Sequence, residues 1–186
     1  MGAPAVPQLT SANRNRKITM AALSNYRLMS LGGFLACVIG MAFALYLEHF
    51  KGYEPCPMCI FQRVAMIAAG VFFLGAALHG PSGCLRWLWS GLAAAASAVG
   101  AGIAGRHVWL QSLPEDLRPA CGPTLDYLMD FMPLTEVVST ILKGDGNCAI
   151  IDAQWLGISL PGWTLVAFVG IGLLAVLSPV LAARND

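Results

Sequence analysis

The sequence has very little charge for its size. Only 11% of its residues are charged, whereas 57% are hydrophobic. A soluble domain usually carries roughly 25% charged residues, so this chain has too few to cover a water-facing surface. The net charge of +1 gives no support for nucleic acid binding, which needs a basic surface. The composition therefore indicates a membrane protein.

Four long stretches are almost free of charge. A helix rises about 1.5 Å per residue, so each stretch can cross the ~30 Å hydrocarbon core of a bilayer. We expect transmembrane helices at about residues 28–47, 60–79, 87–106 and 161–183. A cleaved signal peptide is the alternative for the first stretch, but that stretch is longer than an apolar signal core. The sequence predicts an all-α membrane protein, an antiparallel four-helix bundle.

Polar segments lie before the first helix and between the last two. Residues 1–27 show no periodicity and are predicted to be a mostly disordered tail, and residues 184–186 form the other terminus. Residues 109–160 form a long acidic loop. Apolar side chains recur there at helical spacing at Leu134, Val137, Val138, Ile141 and Leu142. They predict a short amphipathic helix, which lies either on the membrane surface or against its own loop.

Basic residues indicate the orientation of the helices. They cluster before the first helix, at Arg14, Arg16, Lys17 and Arg27. The positive-inside rule then places both termini in the cytoplasm and the acidic loop outside. Cys56, Cys59, Cys121 and Cys148 fall on the oxidising side, where disulfides persist. Cys37, in mid-helix, and Cys84, at the cytoplasmic turn, are interpreted as inert small residues.

The motif Cys56-Pro57-Met58-Cys59 stands at the outer end of the second predicted helix. This spacing brings two sulfurs together across one turn, and a helix N-terminus stabilises the thiolate that performs disulfide exchange. Arg63 shares a helix face with both cysteines. A charged residue in a membrane helix is costly, which favours a functional role: holding a Cys59 thiolate and donating to a carbonyl ligand. The alternative is an arginine that reaches the lipid headgroups.

Cys121 and Cys148 form a second candidate pair, in the acidic loop. Glycines beside both residues favour mobile, reactive sulfurs, but a structural disulfide closing the loop has the same spacing. Four cysteines permit three pairings. No Cys/His spacing in the sequence matches a zinc finger or knuckle, so no metal site is predicted.

These motifs resemble those of the bacterial disulfide bond formation protein B family, DsbB. The resemblance covers about residues 26–182 and rests on Cys56-Pro57-Met58-Cys59-Ile60-Phe61-Gln62-Arg63, on the strings around Cys121 and Asp145-Gly146-Asn147-Cys148, and on Trp155-Leu156-Gly157 and Pro161-Gly162-Trp163. It implies an enzyme of the bacterial inner membrane that oxidises a soluble thioredoxin-like periplasmic partner, DsbA. The electron acceptor that it implies is ubiquinone or menaquinone.

The resemblance also implies a role for each cysteine. Cys121 takes the mixed disulfide with the partner, and Cys148 exchanges with Cys56. Cys59 faces the quinone ring and is supported by Arg63. The electron acceptor must have a high reduction potential, because that of DsbA is about −120 mV, already above that of glutathione at roughly −200 mV.

The sequence also offers a candidate histidine and is compatible with three alternative functions. Some family members have a longer stretch before the first loop cysteine, with a histidine linked to the quinone site, and His107 is the candidate for that part here. The alternatives are a specialised paralogue with a dedicated substrate, a non-enzymatic tetraspan protein with structural disulfides, and a vitamin K epoxide reductase-like enzyme. Quinone-dependent turnover separates the enzymes from the scaffold. In the last family the C-x-x-C motif sits late in the bundle, whereas here it opens the second helix.

Overall fold

The computed structural model describes residues 8–120, 122, 125–144, 146–149, 151 and 154–183. The helices in these residues are α1 (Gln8–Lys51), α2 (Pro57–His79), α3 (Cys84–Gln111), α4 (Leu125–Phe131), α5 (Leu134–Lys143), α6 (Gly146–Ala149) and α7 (Leu160–Ala183). A 3-10 turn follows α3 at Glu115–Leu117, and a small antiparallel hairpin, β1 (Gln154–Trp155) and β2 (Ile158–Ser159), precedes α7.

Within the described residues, four helices are long and apolar enough to cross a membrane: Asn25–Lys51 within α1, then α2, α3 and α7. Each packs against two neighbours, in the order α1, α2, α3, α7 and back to α1. Short connections between α1 and α2 and between α2 and α3 make sequential neighbours antiparallel. The predicted all-α, four-helix membrane bundle is confirmed.

The first helix is longer than predicted. It begins at Gln8, so the prediction of a mostly disordered tail is wrong for residues 8–27. After Pro7 the sequence has no proline or glycine before Gly32, and a helix already nucleated by the membrane span extends readily through ordinary residues. At its other end, α1 continues past the predicted residue 47 to Lys51, and Gly52 follows with a φ of 71°.

Glycines let large side chains pack between the membrane helices. A Cβ atom at Gly100 would lie 2.2 Å from the ring of Phe168, so α7 approaches α3 closely at this point. Gly33 of α1 receives the ring of Phe73 from α2 in the same way. Gly102, two residues further along the same helix, has nothing within 4 Å of such a Cβ atom. Close packing of small residues is the usual means of helix association in a bilayer, and here Gly100 serves it while Gly102 does not.

The end of the bundle that holds Tyr26, the Tyr26 end, is closed by hydrogen bonds. The buried Tyr26 hydroxyl donates to the Arg86 carbonyl oxygen at 3.2 Å and lies 3.0 Å from the Ser90 hydroxyl. The Arg27 guanidinium donates to the carbonyl oxygens of Ala77 and Leu78 at 2.9 and 3.0 Å. Arg27 therefore satisfies carbonyls that the last turn of α2 leaves without intrahelical partners.

The opposite end, the cysteine end, is covered by the long loop. α5 forms as predicted, and it buries Val137 and Ile141 in a cluster with Met58 and Leu110 of the bundle. α5 thus packs against the membrane helices as well as against α4 of its own loop, whereas the sequence predicted either the membrane surface or the loop alone. Leu134 remains exposed on its outer side.

Candidate functional site

The first turn of α2 presents two sulfurs to each other. Cys56 is the N-cap residue and Pro57 occupies the first helical position, which proline favours because it needs no hydrogen-bond acceptor there. The Cys59 amide donates to the Cys56 carbonyl oxygen at 2.9 Å. This turn holds the Sγ atoms of Cys56 and Cys59 3.2 Å apart. The predicted position of the C-x-x-C motif at a helix start is therefore confirmed.

A docked loop brings a third sulfur to the same place. The Arg106 guanidinium of α3 donates to the carbonyl oxygens of Leu142 and Lys143, at 3.3 and 2.9 Å, and so fastens the end of α5. Gly144 follows with a φ of 106°, and a Cβ atom there would lie 2.9 Å from Leu110. This glycine permits the turn into α6, where Cys148 is only 1% exposed.

Cys56 lies close to both other thiols. Its sulfur, the Cys148 sulfur and a ring nitrogen of His107 are all within 4.8 Å of one another, and the Cys59 sulfur lies 3.2 Å from that of Cys56. The hydrogen bond between Cys148 and Cys56, together with burial, raises the pKa of the Cys148 thiol above its usual range. Small movements would let Cys56 bond to either neighbouring sulfur, so the arrangement suits exchange between disulfides.

The same three side chains could also hold a metal ion. Sequence spacing did not predict this, because Cys56, His107 and Cys148 come from three separate segments. The group offers three ligands, one fewer than a structural zinc site and as many as the protein supplies to a catalytic zinc ion. Two of the three are the sulfurs of Cys56 and Cys148, so a bound metal would compete with thiol exchange between them.

Cys121 lies outside the described residues, so its predicted pairing with Cys148 stays a prediction. The residue before it is described. The carbonyl oxygen of Ala120 accepts a hydrogen bond from the Gly146 amide at 3.0 Å. This bond ties the chain before Cys121 to the segment two residues before Cys148.

A cavity of about 250 Å³ opens beside the C-x-x-C motif, between α1, α2, α3 and α7. Its walls are mostly apolar, with Met41, Leu47 and Ala167 among them. Polar and sulfur groups gather at the end nearest the motif: Cys56, Cys59, Gln62, Arg63 and His107. Apolar walls with a few donors are typical of a site for a small, mainly apolar ligand with polar atoms.

Arg63 lines this cavity, on the helix face that it was predicted to share with Cys56 and Cys59. Its guanidinium donates to the carboxylate of Glu48, near the end of α1. The sequence analysis missed Glu48 because the first helix was predicted to stop one residue earlier. An acidic residue at the end of an apolar run, opposite an intramembrane arginine, was the signal that could have found it.

Gln62 is a second polar residue that the sequence analysis did not assign. Its side-chain amide lies 3.3 Å from Nδ1 of His107, and Nε2 of that ring lies 3.8 Å from the Cys56 sulfur. Gln62 and His107 are 5% and 2% exposed. His107, predicted as a quinone contact, thus lines the cavity and also touches a reactive cysteine. Cys37 lies in the bundle core and Cys84 is exposed at the start of α3, both away from this group.

This fold and site define a multi-pass membrane protein with a cluster of thiols at one end of its helix bundle. The chain belongs to the DsbB family, because the family model for the disulfide bond formation protein DsbB matches residues 26–178. The resemblance drawn from the motifs is confirmed. The chain is therefore a multi-pass membrane protein of disulfide bond formation.

Relatives match over most of their own length. A disulfide bond formation protein B from Acinetobacter baumannii is 51% identical over 146 residues, which cover 78% of this chain and 85% of the relative. One from Saccharophagus degradans is 47% identical over 149 residues, covering 80% and 90%. One from Xanthomonas euvesicatoria pv. vesicatoria is 45% identical over 163 residues, covering 87% and 95%.

Proposed function

We propose that this chain reoxidises a DsbA-like dithiol protein of the periplasm and passes the electrons through two cysteine pairs to ubiquinone or menaquinone. The observation that carries the proposal is the position of Cys56, whose sulfur lies 3.2 Å from that of Cys59 and within 4.8 Å of that of Cys148. A residue in that position can belong to either disulfide. It therefore links a pair in the loop to a pair at the membrane helix.

The electrons move by successive exchange of sulfur–sulfur bonds. A thiolate of the partner attacks Cys121, breaks the Cys121–Cys148 disulfide and forms a mixed disulfide with Cys121. The partner's second thiol then displaces Cys121, so the partner leaves oxidised and both loop cysteines are reduced. Cys148 attacks Cys56, and the Cys56–Cys59 bond breaks with its electron pair on Cys59. Attack of Cys121 on Cys148 releases Cys56, and the electrons rest on the C-x-x-C pair.

The cavity beside Cys59 fits a quinone head group. Its apolar walls suit a lipid-soluble ring, and Arg63 and His107 stand where they can donate hydrogen bonds to carbonyl oxygens. A bound quinone would supply an acceptor for two electrons and two protons. The Arg63 guanidinium can stabilise a negative charge on the Cys59 sulfur. Its ion pair with Glu48 restricts the orientation of this planar group.

A quinone also meets the energetic need. DsbA itself has a reduction potential near about −120 mV, and for two electrons each ~30 mV uphill costs about 1.4 kcal/mol. Transfer of its electrons to glutathione disulfide, at roughly −200 mV, is therefore unfavourable at equilibrium. A lipid-soluble acceptor of higher potential reaches a site on a membrane helix directly.

Anaerobic mixing of the full-length protein in detergent with reduced DsbA and a short-chain quinone tests the proposal. We expect quinone absorbance to fall by one equivalent for each dithiol oxidised. Cys59→Ser should abolish the change, whereas Cys84→Ser, a matched substitution at an exposed cysteine outside the site, should leave it intact. Thiol exchange with an unchanged quinone spectrum in the wild-type protein would contradict the quinone step. A dithiol that reacts with neither pair would favour a scaffold with structural disulfides.

The orientation belongs to the same proposal. Basic residues before and at the start of the first membrane span, Arg27 among them, favour a cytoplasmic N-terminus in the inner membrane, which puts the loop in the periplasm. We expect only membrane-permeant thiol reagents to label Cys84 in intact cells, and impermeant reagents to reach reduced Cys121. Labelling of Cys84 from outside would reverse this orientation.

A further inference from the structure

A buried imidazole stands beside the two sulfurs that must exchange. Nε2 of His107 lies 3.8 Å from the Cys56 sulfur. The Cys148 sulfur lies within 4.8 Å of the Cys56 sulfur and of a ring nitrogen of His107. His107 and Cys148 are both buried, with 2% and 1% of their surface exposed to solvent. A proton that leaves Cys148 here therefore has little direct access to water, and His107 is the adjacent group that can take it.

We propose that His107 is the acid–base catalyst of exchange between Cys148 and Cys56, and that Gln62 is its positioning residue. The inference deepens the proposed function and rests on it, since it concerns the transfer between the two cysteine pairs. It gives His107 a role in thiol chemistry, in addition to or in place of a contact with quinone.

The proposed step balances in atoms and electrons. The Cys148 thiol gives its proton to Nε2 of His107 as its sulfur attacks Cys56. A Cys148–Cys56 bond forms, the Cys56–Cys59 bond breaks, and its electron pair leaves on Cys59 as a thiolate. When Cys56 is later displaced from Cys148, it leaves as a thiolate and takes the proton back from the imidazolium. No outside oxidant or reductant is needed.

The state of the Cys148 thiol makes a base necessary. In the reduced protein the hydrogen bond with Cys56 and burial both raise the pKa of the Cys148 thiol. When Cys56 is bonded to Cys59, burial still raises that pKa, so the thiol keeps its proton at neutral pH. The attacking species in disulfide exchange is the thiolate. A base within 4.8 Å of the thiol can remove this obstacle at the moment of attack, and a histidine paired with a cysteine is a recurrent means of activating a thiol.

Gln62 suits both protonation states of the ring. Its side-chain amide lies 3.3 Å from Nδ1. The amide nitrogen can donate to an unprotonated Nδ1, and after a flip the amide oxygen can accept from Nδ1–H of the other tautomer or of the imidazolium. A carboxylate in this place would favour the imidazolium throughout the cycle. An amide orients the ring while leaving it free to gain and lose a proton.

The test follows exchange alone. Full-length, quinone-free, oxidised protein in detergent is mixed with dithiothreitol, quenched in acid at intervals and alkylated, and the appearance of the Cys59 thiol is measured by peptide mass spectrometry. Cys148→Ser measures direct reduction of the membrane pair, which is subtracted. Neither quinone nor a protein partner takes part, so a failure of the proposed function would not obscure the result.

We expect His107→Gln to slow the appearance of the Cys59 thiol about 100-fold at pH 7, within the usual range for acid–base catalysis. The deficit should shrink as the pH approaches 9, because hydroxide then deprotonates Cys148 without the imidazole. The titratable and charged groups that contact the ring or share its cavity, among the described residues, are Cys56, Cys59, Cys148, Arg63, Glu48 and Glu54. All remain present in this variant, so the change in pH profile reports on His107.

Two further variants test Gln62. Gln62→Leu should slow exchange about tenfold at pH 7. Gln62→Glu should shift the rise of the exchange rate to higher pH, since a carboxylate stabilises the imidazolium form of His107. If Gln62 has only a structural role, its replacement should lower the midpoint of thermal unfolding and leave the pH dependence of the exchange rate unchanged. Wild-type exchange by folded His107→Gln would overturn the proposal, as would a deficit that is equal at every pH. A deficit confined to the oxidation of reduced Cys56 and Cys59 by quinone would assign His107 to the quinone instead.

Discussion

The two ends of the bundle use similar residues in opposite ways. At the Tyr26 end, Arg27 and the Tyr26 hydroxyl donate to backbone oxygens and close the packing between α1, α2 and α3. At the cysteine end, Arg63 pairs with a side chain, Glu48, on the wall of a cavity. An arginine that caps carbonyls stabilises a helix end, whereas an arginine held at a cavity wall keeps donors available to a ligand.

The cysteines differ in the same way. Cys37 packs in the bundle core, where its Cβ lies 3.2 Å from the position of a Cβ atom on Gly70, and Cys84 is exposed. Cys56 and Cys148 instead face each other and a histidine. Residue type alone therefore does not decide function in this chain, and the neighbours of each side chain do. The predictions below test that contrast, from the largest expected effect to the smallest.

Removing the sulfur of Cys148 should have the largest effect. Cys148→Ser should lower transfer from a reduced partner to quinone by on the order of 1000-fold or more, as loss of a catalytic nucleophile commonly does. A partner whose second cysteine is replaced by serine should form a persistent mixed disulfide with Cys121 of the wild-type protein, because the thiol that resolves it is absent. Non-reducing gels and quinone absorbance provide the two measurements. Cys84→Ser is the control, and an adduct that forms equally well in Cys121→Ser would contradict these roles.

Removing the guanidinium of Arg63 should have the next largest effect. A hydrogen bond to a charged group contributes about 1.5–3 kcal/mol, so Arg63→Ala should slow quinone-dependent reoxidation of Cys56 and Cys59 by roughly 10- to 150-fold. The Michaelis constant for quinone should rise. Exchange of the partner with the loop cysteines should be nearly unchanged, as measured by alkylation of Cys121.

Two matched variants sharpen this prediction. Arg63→Lys retains the charge but loses the planar fork, so it should recover only part of the rate. Arg27→Ala removes an arginine that caps α2 at the other end, and it should lower stability in detergent without changing quinone kinetics. If folded Arg63→Ala has wild-type quinone kinetics, Arg63 serves only to reach the headgroups or to bind Glu48.

Cys148 and Cys84 should differ in their reaction with iodoacetamide in the reduced protein. The pKa of Cys148 is raised, which lowers its thiolate fraction at a given pH, and the residue is also buried. At pH 8 we expect Cys148 to react at least about tenfold more slowly than exposed Cys84. Its rate should still rise with pH above the usual thiol value of about 8.5. Equal rates at pH 8, measured by peptide mass spectrometry, would show that Cys148 is neither buried nor held protonated.

The sequence predicts whatever depends on a single helix. Charge-free runs predict the four spans, and the helical repeat predicts that Cys56, Cys59 and Arg63 share a face, because both follow from spacing along one segment. The prediction for residues 8–27 was wrong because it considered their polar composition without the helix that follows them. Polar composition indicated disorder, but a long apolar helix had already nucleated the structure through residues 8–27.

Contacts between segments could not be predicted from spacing. Glu48 meets Arg63 across two helices, and Gln62 meets His107 across another pair. Such pairs depend on which faces of the helices meet. Apolar faces that can lie against either lipid or protein do not specify this in sequence. The approach of Cys148 to Cys56 depends further on how Arg106 fastens α5, which the loop sequence does not reveal.

The smallest expected effect lies at the Tyr26 end. Tyr26→Phe keeps the buried ring but removes the hydroxyl that donates to the Arg86 carbonyl oxygen and lies beside the Ser90 hydroxyl. A typical intramolecular hydrogen bond contributes about 0.5–1.5 kcal/mol, and leaving a buried partner unsatisfied adds to the loss. We expect the free energy of unfolding in mixed micelles to fall by about 1–2 kcal/mol. The quinone-dependent rate per folded molecule should stay within about twofold of wild type, since packing transmits little from this end to the cavity. Denaturant titration and turnover on the same samples measure both quantities. A large loss of turnover with unchanged stability would mean that the two ends are coupled and that their contrast is incomplete.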